Sequence, residues 1–115
     1  MAETFRITLA QLNPVVGDIA GNIVKARAAW EAGRDAGADL VALPEMFVSG
    51  YNAQDLVMKP AFHTAAMQAV EALAAECADG PALALGCPWA EGTALFNAYL
   101  ICKGGPIASR VLKHH

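Results

Sequence analysis

Charge is scarce in this chain: 8 Lys and Arg stand against 11 Asp and Glu in 115 residues, a net charge of −3. The pI is near 5.5. No basic run or lysine/arginine stripe is present, which argues against nucleic acid or an anionic membrane surface as partner. No apolar run approaches the roughly 20 residues of a membrane-spanning helix. The opening, Met1-Ala2-Glu3-Thr4, leads straight into a strand-like stretch rather than a secretory leader, so a cytoplasmic location is expected. There are only three cysteines, Cys77, Cys87 and Cys102, too widely spaced for a CxxC metal pair or a disulfide framework. Cys77 and Cys102 read as small buried hydrophobes, and Cys87, after a short strand, could face a pocket. No G-x-G-x-x-G follows the first strand and no Walker loop occurs, which disfavours a dinucleotide or P-loop site in this segment. No cofactor or metal is expected here. His63 reads as a solvated helix residue, and the neighbours His114 and His115 make a poor metal site because adjacent strand residues point to opposite faces.

What the chain does have is apolar residues, 56% of the total, in the periodicities of an α/β domain. Residues 5–12 alternate as Phe5, Ile7 and Leu9, and Asn13-Pro14 stops the run. Asn22 suits a helix N-cap, with Ile23, Ala26, Trp30 and Gly33 at helical spacing and Gly37 as the closing left-handed residue. Residues 39–43 form the second strand. Strand, helix, strand at this length is a βαβ unit with parallel strands. Pro60 opens a second helix whose apolar stripe is Met67, Val70, Leu73, Ala74 and Cys77. Residues 82–86 form a third strand, 87–92 a loop carrying Trp89. Residues 95–102 and 107–113 form a hairpin around Lys103-Gly104-Gly105-Pro106. The expected class is α/β with a mixed sheet, βαβαβ and then the hairpin.

Leu43-Pro44-Glu45 is the most informative stretch. It sets a carboxylate at the carboxyl end of an apolar strand, where open α/β sheets bind ligands. Lys113 ends the last strand, and the two ends can meet at one cleft. A carboxylate beside an ammonium stays ionised. Such a pair offers a general base and a cation for charge developing on a carbonyl oxygen. A structural glutamate and a surface lysine fit the same spacing.

Several motifs then agree in order. Ile7-Thr8-Leu9-Ala10-Gln11-Leu12-Asn13-Pro14, Val16-Gly17-Asp18 with Asn22, and Gly37-Ala38-Asp39-Leu40-Val41-Ala42-Leu43-Pro44-Glu45 resemble the opening of the nitrilase superfamily of carbon–nitrogen hydrolases. Ser49-Gly50-Tyr51-Asn52-Ala53-Gln54-Asp55-Leu56, Lys59-Pro60-Ala61-Phe62 and Arg110-Val111-Leu112-Lys113-His114-His115 resemble the glutaminase domain of glutamine-dependent NAD synthetases. The resemblance implies a portion of an α-β-β-α sandwich, in a homo-oligomer. It implies a Glu-Lys-Cys triad with Glu45 as general base, Lys113 stabilising the tetrahedral intermediate, and Tyr51 lining the glutamine pocket. It implies L-glutamine as substrate, with the ammonia passed to nicotinic acid adenine dinucleotide by an ATP- and Mg-dependent synthetase domain. In the family the nucleophilic cysteine follows the lysine. Cys77, Cys87 and Cys102 all precede it, so residues 1–115 are expected to be a partial glutaminase domain, inactive alone, without the cysteine or the synthetase domain. A stand-alone amidase of the same superfamily and a catalytically silent assembly module are the alternatives.

Overall fold

A computed structural model describes residues 3–50 and 58–114, the last by its backbone only. Five strands form one mixed sheet in chain order: β1 (Ile7–Leu9), β2 (Leu40–Ala42), β3 (Ala82–Glu91), β4 (Ala94–Cys102) and β5 (Ile107–His114). The first three pair in parallel, and β4 and β5 each pair antiparallel to the strand before. Helix α1 (Ile19–Asp35) connects β1 to β2 and α2 (Pro60–Glu76) connects β2 to β3. Two right-handed crossovers advancing in the same direction put both helices on one face, and the helices touch each other there. Two antiparallel reversals after β3 return β5 to the direction of β2, so their carboxyl ends lie at the same edge of the sheet. The α/β class, the parallel βαβ unit and the hairpin are as read from the sequence.

The core lies between the helices and the sheet. Ile23, Ala26 and Trp30 of α1 and Val70, Leu73 and Ala74 of α2 pack over Val41, Leu83, Leu85, Cys87 and Leu100. The indole Nε1 of Trp30 donates to the carbonyl of Pro81 at 2.8 Å, so this large ring is buried with its one polar atom satisfied. Gly37 takes φ +81°, the left-handed conformation expected after the helix. The opposite sheet face is open: Ile7, Leu9 and Val111 are more than half exposed.

Three local expectations are corrected. Asp18, not Asn22, caps α1, accepting from the Gly21 amide at 3.0 Å. Asn22 lies in the first turn, fully buried. Its amide group accepts from Val15 N at 2.8 Å and donates to the carbonyls of Val15 at 2.8 Å and Val48 at 3.0 Å. It therefore ties loop 13–18 to the turn at 46–50. Asn22→Ala is expected to cost about 3 kcal/mol by leaving buried backbone groups unpaired, read as a lower denaturation midpoint.

Residues 87–91 are strand rather than loop, and Trp89 is a buried strand residue. Pro88 is tolerated because its missing N–H falls on the side that β2 no longer occupies. Gly86, two residues earlier, sends its N–H to Pro44 on that side. His63 is half-buried rather than solvated, with Nδ1 unpartnered.

Candidate active site

At the end of β2 the Leu43 amide still donates to the Ala84 carbonyl at 2.8 Å. In a regular parallel ladder the Gly86 amide would then donate to the Leu43 carbonyl. It donates instead to the Pro44 carbonyl, at 3.2 Å. The ladder slips by one residue at Leu43-Pro44, and Glu45 follows immediately. The released Leu43 carbonyl accepts from the Tyr99 hydroxyl of β4 at 2.8 Å.

Two further features fix the crossing of the chain at Glu45. A Cβ on Gly86 would stand 2.1 Å from Met46 N and 2.7 Å from Glu45 Cα, so glycine is what lets this backbone lie against β3. Met46, at φ +54°, is the only non-glycine residue in the left-handed region among the described residues, and such local strain recurs at functional sites. The turn then closes through Gly50 N to Met46 O at 2.8 Å and is held from outside by Gly17 N to Ser49 O at 2.9 Å.

Lys113 Nζ donates to Glu45 Oε1 at 2.9 Å across 68 positions of sequence. The two side chains are 61% and 57% exposed. An ion pair this open contributes at most about 1 kcal/mol to stability, so stability does not account for it. Lys113 pairs with Asn97 across the β4–β5 ladder, and Tyr99 with Val111, so Asn97, Tyr99 and Lys113 share the sheet face opposite the helices. Burial pushes the Tyr99 hydroxyl pKa up, and the Glu45 carboxylate pushes it further the same way. Tyr99 is accordingly a neutral donor beside the carboxylate at physiological pH.

The structure thus brings together Glu45 and Lys113. Tyr51 lies outside the described residues. Tyr99 and Gly86 were not singled out from sequence. The available signals were a tyrosine inside an apolar strand, whose hydroxyl needs a partner, and a glycine ending a strand-like run.

The three thiols are free and buried. Burial raises all three, Cys77 and Cys102 to about 11 and Cys87 further. They are protonated at neutral pH and poor nucleophiles. A thiol-directed disulfide reagent is expected to titrate them only after denaturation; fast reaction of one thiol in the native chain would contradict that.

The structure thus sets a carboxylate and an ammonium in contact at the edge of a mixed α/β sheet where β2 and β5 run out. Residues 6–115 match the carbon–nitrogen hydrolase family, and the chain belongs to that family. It is 60% identical over its whole length to a glutamine-dependent NAD(+) synthetase of Rhodobacter capsulatus, of which it covers 21%. It superposes on the crystal structure of a glutamine-dependent NAD(+) synthetase from Cytophaga hutchinsonii with a TM-score of 0.90 and 25% identity, covering 98% of this chain and 19% of that one. A nitrilase-superfamily amidase of Nesterenkonia shares the fold at a TM-score of 0.80 and 22% identity, covering 95% of this chain and 42% of that one. The chain spans about a fifth of the length of the synthetases.

Proposed function

We propose that residues 1–115 are the leading part of a glutaminase domain that supplies ammonia for ATP-dependent amidation of nicotinic acid adenine dinucleotide to NAD. The observation that carries this reading is the 2.9 Å contact of Lys113 with Glu45 at the ligand edge of the sheet. The whole-length similarity to a synthetase supports the choice of reaction. The open face with Ile7, Leu9 and Val111 suits one sheet of an α-β-β-α sandwich awaiting the other. The same reading makes the assembled protein a homo-oligomer and assigns ATP and Mg to a synthetase domain outside this segment.

In the proposed reaction a cysteine thiolate, supplied by chain beyond Lys113, attacks the side-chain amide carbon of glutamine. Lys113 stabilises the negative oxygen as the C=O π bond opens. Glu45, having taken the thiol proton, returns it to the departing nitrogen, and ammonia leaves a thioester. Glu45 then takes a proton from water, whose oxygen attacks the thioester. Collapse of the second tetrahedral adduct releases glutamate and the thiol. Tyr51, six residues after Glu45, is assigned to the glutamine pocket.

The test is the full-length protein with amide-¹⁵N glutamine, nicotinic acid adenine dinucleotide and Mg-ATP. The label is expected in the carboxamide of NAD. Ammonia release without NAD formation would instead indicate a stand-alone amidase, and no turnover of glutamine would indicate an assembly module. The segment of residues 1–115 alone is expected to release no ammonia from glutamine, since its own thiols are buried and protonated; measurable turnover would overturn that expectation.

A further inference from the structure

We propose that Tyr99 is a positioning residue for Glu45, acting through the Leu43 carbonyl; this rests on the role given to Glu45 above. The one-residue slip at Leu43-Pro44 takes that carbonyl out of the β2–β3 ladder. Leu43 is buried, so its carbonyl needs a replacement donor. The Tyr99 hydroxyl supplies it at 2.8 Å from β4, two strands away from β2 in the sheet. The bond crosses over β3 at Gly86, which is the register partner of Tyr99 and the residue whose missing side chain leaves room for Glu45 and Met46.

Tyr99 thereby pins the carbonyl two residues before the carboxylate, from the same sheet face that carries Lys113. The slip re-aims Glu45 off the line of β2, and the hydroxyl holds the slip in place. Without the hydroxyl, the regular ladder bond from Gly86 to Leu43 becomes the natural way to satisfy that carbonyl. Reforming it would carry Glu45 away from Lys113.

The experiment uses full-length protein, with glutamine or ammonia as nitrogen donor. Tyr99→Phe is expected to lower kcat with glutamine about tenfold, because small misplacements of a reacting group are costly. The KM for glutamine should change less than about twofold and ammonia-driven synthesis should be unaffected. In a Glu45→Asp background, where the carboxylate is already displaced, Tyr99→Phe should cost less than about threefold, since residues acting through one another are non-additive. An unchanged kcat, an equal loss in both backgrounds, or a rise in KM that accounts for the whole loss would overturn the proposal. If Glu45→Gln leaves glutamine turnover intact, the failure lies with Glu45 as base and not with Tyr99.

Discussion

Glu45→Gln is expected to lower glutamine-driven NAD synthesis by about 10³-fold in the full-length protein, within the range that general acid–base catalysis supplies, while ammonia-driven synthesis stays within about twofold. The amide fills the volume of the carboxylate and can still meet the Lys113 ammonium through its carbonyl oxygen, so the geometry at 2.9 Å survives. What is lost is the ability to take and return a proton. Because the pair is exposed on both sides, the substitution should leave thermal stability nearly unchanged. A split between normal stability and lost glutamine use separates a catalytic carboxylate from a structural one. Glutamine turnover by the Gln variant at the wild-type rate would show that another group does the proton transfer.

Gly86→Ala is expected to have the second-largest effect, and on both stability and activity. A Cβ there meets Met46 N at 2.1 Å and the Glu45 backbone at 2.7 Å. Neither is the end of a flexible side chain, so the strand ends must separate. Overpacking of this kind costs about 3 kcal/mol. Gly86 N also donates to Pro44 O, so separation weakens the bond that holds the slipped ladder. A shift of about 1 Å at Glu45 would lower glutamine turnover by about 10²-fold. The measurements are a denaturation midpoint and glutamine-dependent kcat on the same preparation. Loss of activity together with stability is the expected pattern; a wild-type midpoint would mean that the 45–46 crossing yields more readily than its geometry implies.

The elements legible in sequence were those whose signal is local. The alternation of Ile7 and Leu9, the spacing of Ile23, Ala26, Trp30 and Gly33, and Gly-Gly-Pro in the hairpin turn each need only neighbouring residues. The pairing of Glu45 with Lys113 was legible because both end strands, and the strand directions follow from the connections. What was missed depends on register between distant segments. Asn22 reads as a cap from its neighbours, yet its partners Val15 and Val48 lie on two other loops. Trp89 reads as a loop residue, but the missing N–H of Pro88 falls on the side that β2 has left, and β3 runs on through it. Tyr99 is one apolar-strand residue among several until the ladder places it opposite Gly86. The alternation of β1 was visible in sequence, whereas the exposure of Ile7 and Leu9 was not, since periodicity does not say which face is covered.

The role of the Glu45–Lys113 pair as a glutaminase unit is tested most directly by Lys113→Met in full-length protein, read as the ratio of glutamine-driven to ammonia-driven NAD synthesis. Methionine keeps most of the length and bulk of the side chain and removes only the ammonium, the group proposed to stabilise the developing oxyanion. The ratio is expected to fall at least about 10²-fold, with ammonia-driven synthesis unchanged. A ratio equal to that of the wild type would contradict the assignment and return Lys113 and Glu45 to the status of a surface ion pair.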